Sequence, residues 1–239
     1  MLNLGDITAV VLAGGQGTRL RAALPQVPKV LAPVAGRPFL AHLLEQLTRA
    51  GLKRAVLCTG YQGDRVRDAL GETWGDMALA YSQEEAPLGT GGALRLSLPL
   101  LDSPLWLVMN GDSYCGADLA AYARWHQERG AGLSLLLARV ENCARFGRVS
   151  LQDGGQVLGF AEKDGRNAPG LINAGIYLME RRVIEELPPG RELSLERQVF
   201  PDWIGRGLGG LIAPGPFLDI GTPESHARAE GFFGALERP

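Results

Sequence analysis

Lysine is scarce in this chain. Of its 24 basic residues only Lys29, Lys53 and Lys163 are lysines, so arginine is the habitual surface cation and a lysine marks a place suited to a compact, point-like ammonium. Lys53, beside Arg54 at the end of an expected helix, reads as a solvated C-terminal charge. Cysteine is as rare: Cys58, Cys115 and Cys143 are odd in number and widely spaced. They match no zinc spacing and no disulfide framework, which points to a reducing cytoplasm. The three histidines, His42, His126 and His226, fall in expected helices beside no nucleophile. No Ser or Cys occupies a nucleophile elbow, so the histidines read as structural. No long apolar stretch and no charged-then-apolar leader at Met1 is present, so neither a membrane span nor a signal peptide is expected. The net charge of −2 exerts no broad pull toward nucleic acid or anionic membrane.

What is there begins with ordinary globular composition, 46% hydrophobic and 21% charged over 239 residues. That suits one large domain, and no repeat, low-complexity tract or linker divides it. The chain is organised around Val10-Val11-Leu12-Ala13-Gly14-Gly15-Gln16-Gly17-Thr18-Arg19-Leu20, continued by Pro28-Lys29-Val30-Leu31. A buried strand here enters a loop with little side-chain bulk, which lets backbone N–H groups approach an anion. Arg19 and Lys29 supply the cations a polyphosphate needs. Two familiar phosphate loops are excluded by spelling. No Gly-Lys-Ser/Thr follows Gly14 or Gly15, as a Walker A loop requires, and Leu20 stands where the dinucleotide fingerprint needs its third glycine.

Strand and helix patterns alternate through the first half. Strands are expected at Ile7–Leu12, Arg54–Thr59, Met77–Tyr81 and Leu105–Met109, and helices at Pro38–Ala50, Gln62–Leu70, Gly91–Leu98 and Ala117–Arg129. This implies an α/β fold with a mixed, mostly parallel, Rossmann-like sheet covered by helices on both faces. In the second half, strands at Leu133–Val140, Gly147–Leu151, Val157–Glu162, Leu171–Met179 and Gly209–Ala213 accompany helices at Arg181–Leu187, Leu195–Phe200 and Pro223–Leu236. We read a single domain, 1–239, with a first half (1–115) built around the phosphate loop and a second half (116–239) that adds a small substrate-binding lobe. Asp112 ends the fourth strand and Asp219 ends a late apolar run. A carboxylate beyond the carboxyl end of a strand faces the crevice where ligands gather, and beside a triphosphate it is a typical magnesium ligand.

Gly-Gly-x-Gly-Thr-Arg-Leu with its trailing Pro-Lys resembles the signature of the nucleotidyl-sugar transferases, which join a nucleoside triphosphate to a sugar 1-phosphate. The resemblance covers nearly the whole chain. It implies a glycosyltransferase-A-like fold and nucleotide contacts from Leu12, Ala13, Gly14, Gly15, Gly17 and Thr18. Arg19, Lys29 and Lys163 become the charge-stabilising cations. Asp112 and Asp219, the latter in an Asp-x-Gly-Thr element, become joint ligands of Mg²⁺, with Mn²⁺ left open. Tyr81-Ser82-Gln83-Glu84 before Leu88-Gly89-Thr90 matches the family's base-reading loop, adding Glu84, Gly89 and Thr90. Glu84 accepts only, which suits the adjacent N1–H and N2–H₂ of guanine, whereas Gln83 would suit uracil. Phe160-Ala161-Glu162-Lys163-Asp164 matches the element at the sugar phosphate, and Asn110, Gly147, Glu162 and Asn173 line the implied sugar pocket. Leu88–Ala93, Asn110–Ser113 and Ser194-Leu195-Glu196 before Phe200-Pro201 are most similar to the bacterial D-glycero-α-D-manno-heptose 1-phosphate guanylyltransferases, which make a nucleotide-sugar for capsule or surface glycans. The implied partners are GTP and a sugar 1-phosphate, in a monomer or homodimer without nucleic acid or membrane. Transfer to another hexose phosphate from UTP or dTTP is the neighbouring reading. A non-catalytic sugar-nucleotide sensor is the reading from another class.

Overall fold

A computed structural model describes residues 3–21, 24, 27–163 and 165–236. Met1, where no leader is expected, and Asp164 of the Glu-Lys block lie outside the described residues. In chain order the strands are β1 (Thr8–Leu12), β2 (Pro33–Val34), β3 (Arg37–Pro38), β4 (Arg54–Thr59), β5 (Thr73–Trp74), β6 (Met77–Gln83), β7 (Leu105–Asn110) and β8 (Ser113–Cys115). They continue with β9 (Leu133–Val140), β10 (Gly147–Gln152), β11 (Gln156–Glu162), β12 (Gly170–Glu180), β13 (Gly209–Ile212) and β14 (Phe217–Asp219). The helices are α1 (Thr18–Arg21), α2 (Phe39–Arg49), α3 (Gly63–Leu70), α4 (Gly89–Ser97), α5 (Leu119–Arg129), α6 (Arg181–Glu185), α7 (Phe200–Ile204), α8 (Pro223–Ala227) and α9 (Ala229–Leu236).

Ten strands form one sheet in the order β10-β11-β13-β9-β12-β7-β1-β4-β6-β5. The pairings set β1, β4, β6, β7, β9, β10 and β13 in one direction and β5, β11 and β12 in the other. The sheet is therefore mixed, with most strands running the same way. Strand alternation divides its apolar residues between two cores. Ala9 and Val11 of β1, with Leu107 and Met109 of β7, face α2, α5 and α9 through Leu43, Tyr122 and Phe233. Val10, Trp106 and Val108 face the other way, toward Leu94 of α4, Val183 of α6 and Trp203 of α7. Burial on both sides explains why β1 and β7 read as unbroken apolar runs.

The element boundaries follow the sequence with a few differences. The helix expected at Gly91–Leu98 begins at Gly89, because a carbonyl outside the helix accepts from its first N–H groups. The helix expected at Leu195–Phe200 is a wide π turn, Leu195–Val199, that runs on into α7. Pro201 lies in that run and has no N–H to close the ordinary helical hydrogen bond. The single closing helix is two, α8 and α9, meeting at Arg228, and the bend lets Phe233 stack on His42 with ring centroids 3.8 Å apart. Asp153-Gly154-Gly155 does turn β10 into β11, with both glycines at positive φ. The short pairs β2–β3 and β8–β14 were not visible as strands in the sequence.

Candidate active site

The two aspartates arrive by different routes. Asp112 sits in the turn after β7, where Gly111 N–H donates to the Leu12 carbonyl at the end of β1 (2.9 Å). The chain then enters β8, which pairs antiparallel with β14 so that Ser113 stands opposite Asp219. Ile220 N–H donates to the Asp112 carbonyl at 3.0 Å. A three-residue ladder thus brings together two carboxylates that are far apart in the chain.

Their charges are balanced unequally. Lys29 Nζ, only 11% exposed, donates to Asp112 Oδ2 at 2.5 Å. Burial alone would push the Asp112 carboxyl up, but the charge and hydrogen bond of Lys29, helped by Ser113, hold it below the usual carboxylate range. Asp219 goes the other way. Burial and the negative charge of Asp112 raise its carboxyl, and Lys29 and Arg145 offset this only in part. Two hard carboxylates that feel each other's charge are a donor set suited to a small dication. No group of three or more His, Cys, Asp and Glu side chains arranged for a metal occurs among the described residues.

The glycine loop leaves β1 and opens a cleft of about 790 Å³. Leu12, Ala13, Gly14, Gly15 and Lys29 line one wall, and Glu84, Gly89 and Thr90 line the other. Gly17 and Thr18 are not part of that lining. Gly17 has φ +56°, and a Cβ there would stand 2.8 Å from Lys29 Cβ, so this glycine makes room for the lysine. Thr18 starts α1 and is exposed. Glu84, at the end of β6, turns Oε2 to the Leu88 N–H (3.0 Å) and is raised by burial, with that N–H opposing.

A smaller cleft of about 110 Å³ holds Arg19, Asn110, Asp112, Gly147, Glu162, Lys163, Asn173 and Asp219 together. Every residue expected at the sugar, at its phosphate or at the metal is therefore in one place. Lys163 pairs with Glu162 (2.8 Å) and adopts φ +48°, a left-handed conformation rare for a long side chain and one that collects at functional sites. A register shift in β12 between Asn173 and Tyr177 turns Asn173 inward. Its Nδ2 donates to the Tyr177 hydroxyl (2.9 Å) and its Oδ1 accepts from Gly175 N–H (2.9 Å).

Three site residues were not foreseen. Arg145 Nη2 donates to Asp219 Oδ1 at 2.6 Å. Tyr177, fully buried, carries the Asn173 side chain, and burial keeps its hydroxyl protonated. Glu196 lines both clefts and accepts from the Thr90 and Ser194 hydroxyls at 2.8 and 2.9 Å. In the sequence, only the Ser194-Leu195-Glu196 spelling marks that segment. Thr90 also accepts from Leu195 N–H (2.8 Å), and Gly91 and Gly92 N–H both donate to the Leu193 carbonyl. Gly89 has φ +68°, and a Cβ there would lie 2.6 Å from that carbonyl. The Leu-Gly-Thr-Gly-Gly block thus holds the 193–196 segment against α4, and its Gly91 and Gly92 N–H groups are not free for phosphate.

A strand-to-glycine-loop cleft, a largely buried lysine and two converging aspartates at the carboxyl ends of the strands agree with the profile of one family, "Nucleotidyl transferase", whose model matches residues 8–233. The chain belongs to the nucleotidyl transferase family. Mannose-1-phosphate guanylyltransferase of Mycobacterium tuberculosis is 38% identical over 227 residues, covering 93% of this chain, which spans 63% of that relative's length. D-glycero-alpha-D-manno-heptose 1-phosphate guanylyltransferase of Aneurinibacillus thermoaerophilus is 30% identical over 223 residues, 93% of this chain and 96% of that protein. Among solved structures, HddC from Yersinia pseudotuberculosis complexed with GMP-PN superposes with a TM-score of 0.83 at 29% identity, covering 95% of this chain and 99% of that one. The nucleotidyl transferase fold is therefore shared nearly end to end. Among the described residues no helix of this family member is long and apolar enough to cross a membrane.

Proposed function

We propose that this nucleotidyl transferase moves a guanylyl group from GTP to a sugar 1-phosphate, D-glycero-α-D-manno-heptose 1-phosphate in the first instance, releasing pyrophosphate and a GDP-sugar. The observation that carries the reading is the meeting of the two clefts. Asn110, Asp112, Glu162 and Lys163 belong to both, so a nucleotide in the larger and a sugar phosphate in the smaller would meet at Asp112. We assign residues 1–115 mainly to the nucleotide and 116–239 mainly to the sugar phosphate, within one domain.

No proton has to be removed, because the phosphate oxygens of the acceptor are already ionised. The protein's contribution is alignment and charge stabilisation. Lys29, fixed by Asp112, stands beside the glycine loop and neutralises the triphosphate. Arg19 and Lys163 face the smaller cleft and balance the attacking phosphate. Glu162 and Asn110 accept from sugar hydroxyls, and Asn173, steadied by Tyr177, both donates and accepts. Glu84 reads guanine with its acceptor-only carboxylate. Asp112 and Asp219 are the residues that would hold Mg²⁺, which when bound adds positive charge at the α-phosphate. Phosphate oxygens would complete its shell, since these two carboxylates are too few alone.

A second acceptor, mannose 1-phosphate, is favoured by the name of the Mycobacterium tuberculosis relative. Pyrophosphate release in Mg²⁺ with GTP, UTP, CTP, ATP and dTTP against manno-heptose, mannose and glucose 1-phosphates tests both. Release with GTP and heptose phosphate is the expected result. Release with GTP and mannose phosphate alone moves the acceptor, and release with UTP or dTTP alone removes the guanine assignment. No release with any pair, but GTP binding by titration, would favour a sensor.

A further inference from the structure

Asp219 is engaged on both oxygens. Its Oδ2 accepts from the Gly221 N–H of its own turn at 2.9 Å, and its Oδ1 accepts from Arg145 Nη2 at 2.6 Å. Asp112 is different, because Lys29 takes Oδ2 and, among the described residues, Oδ1 has only the Ser113 hydroxyl at 3.2 Å. A cation that uses both carboxylates finds an accessible oxygen on Asp112 but must displace a donor from Asp219. The Gly221 N–H belongs to the backbone turn before α8 and cannot leave without remaking it. Arg145 is a long side chain, 38% exposed, whose one ion pair among the described residues is with Asp219 and whose guanidinium lies 5.7 Å over the Phe146 ring; it is the donor that can leave without remaking backbone.

A second feature of Arg145 is independent of Asp219. Its Nε is buried and has no hydrogen-bond partner among the described residues. A buried N–H without an acceptor is costly to leave unmade. Arg145 itself lines the smaller cleft, as Arg19 and Lys163 do. Three cations around one small space suit a dianionic phosphate, and the guanidinium fork binds phosphate through two parallel N–H donors.

We propose that Arg145 is a displaceable counter-ion of Asp219, competing with the divalent cation for that carboxylate and, once displaced, binding the phosphate of the sugar substrate. The inference rests on the reading of Asp112 and Asp219 as metal ligands given above. It assigns Arg145 two successive partners of opposite consequence: one that weakens metal binding and one that favours the acceptor.

Mn²⁺ binding to the full chain without nucleotide, followed by loss of the free-ion electron paramagnetic resonance signal, separates these roles. Arg145→Met should bind Mn²⁺ about ten-fold more tightly than the unaltered protein because the competitor is gone. The same variant should raise KM for the sugar 1-phosphate roughly five-fold or more while KM for GTP stays within about two-fold. Circular dichroism checks the fold, and Arg145→Gln serves if the methionine variant is misfolded. An unchanged or weaker Mn²⁺ affinity in the folded variant overturns the competition, and an unchanged KM for the sugar phosphate overturns the second role. Asp219→Asn is the control for the underlying reading. If it binds Mn²⁺ as well as the unaltered protein, the metal assignment itself fails, an outcome distinct from failure of the Arg145 step.

Discussion

At the scale of single residues, the site is a set of opposed charges whose partners decide what each does. Asp112 is held ionised by Lys29, whereas Asp219 is raised by burial and by Asp112. If Asp112 gathers the cations at the reaction centre, Asp112→Ala should lower kcat/KM by ~10²-fold or more, the usual cost of removing one preorganised charge. The circular dichroism spectrum should stay unchanged, and a fully active Asp112→Ala protein would sink the two-carboxylate scheme. Glu84 offers a second check. Changing it to Gln keeps the shape and replaces an acceptor by a donor, so kcat/KM with GTP should fall about ten-fold while UTP use is spared. Equal losses with both nucleotides would remove Glu84 from base reading. Arg19, Lys29, Asp112 and Lys163 were legible because each stands in a motif whose chemistry demands its type. Arg145 and Tyr177 were not, because their partners, Asp219 and Asn173, reach them through β14 and a bulge in β12.

At the scale of elements, α5 shows how packing sets a titration. His126 lies on its buried face, with Nδ1 2.7 Å from Ser134 Oγ on β9, and the Tyr122 hydroxyl meets the same oxygen at 2.9 Å. Burial lowers the imidazole from 6.5 to about 4, opposed weakly by Glu180. A base whose folded pKa is depressed leaves stability intact above its unfolded value and removes it as the pH falls toward the folded one. The protein should therefore lose roughly 3 kcal/mol through this group between about pH 6.5 and 4. Urea midpoints measured across that range should converge for His126→Gln and the unaltered protein as the pH falls. Parallel curves would mean the ring is solvated in the native state. Most elements were legible from their apolar periodicity. β8 and β14 escaped because three residues carry no period, yet their pairing places Asp219 beside Asp112.

At the scale of the molecule, one sheet runs from β10 to β5 through both halves of the chain, with β12 of the second half hydrogen-bonded along β7 of the first. Each half contributes five adjacent strands, but both hydrophobic cores draw side chains from both halves, so neither half buries its sheet alone. Thermal unfolding followed by calorimetry should therefore show one transition, with the van't Hoff and calorimetric enthalpies equal. Two resolved transitions would mean that residues 1–115 and 116–239 are separate domains. The cleft arrangement follows from the same continuity, since the residues common to both clefts include Asn110 and Asp112 at the end of β7 and Glu162 and Lys163 at the end of β11, a pair from each half.

Local features were readable from the sequence alone: which runs are strands, where glycines remove side-chain bulk, and which cations and carboxylates stand in the motifs of a nucleotidyl transferase. These are short-range properties, set by side-chain period, backbone freedom and charge within a few residues. The tertiary structure alone decided which charges neutralise which. The pairing of Lys29 with Asp112 and of Arg145 with Asp219, the clasp of Thr90 on Glu196 and the depressed imidazole of His126 all depend on burial and on contacts between distant segments. No periodicity records such contacts, because only the closed sheet brings those segments within hydrogen-bonding distance.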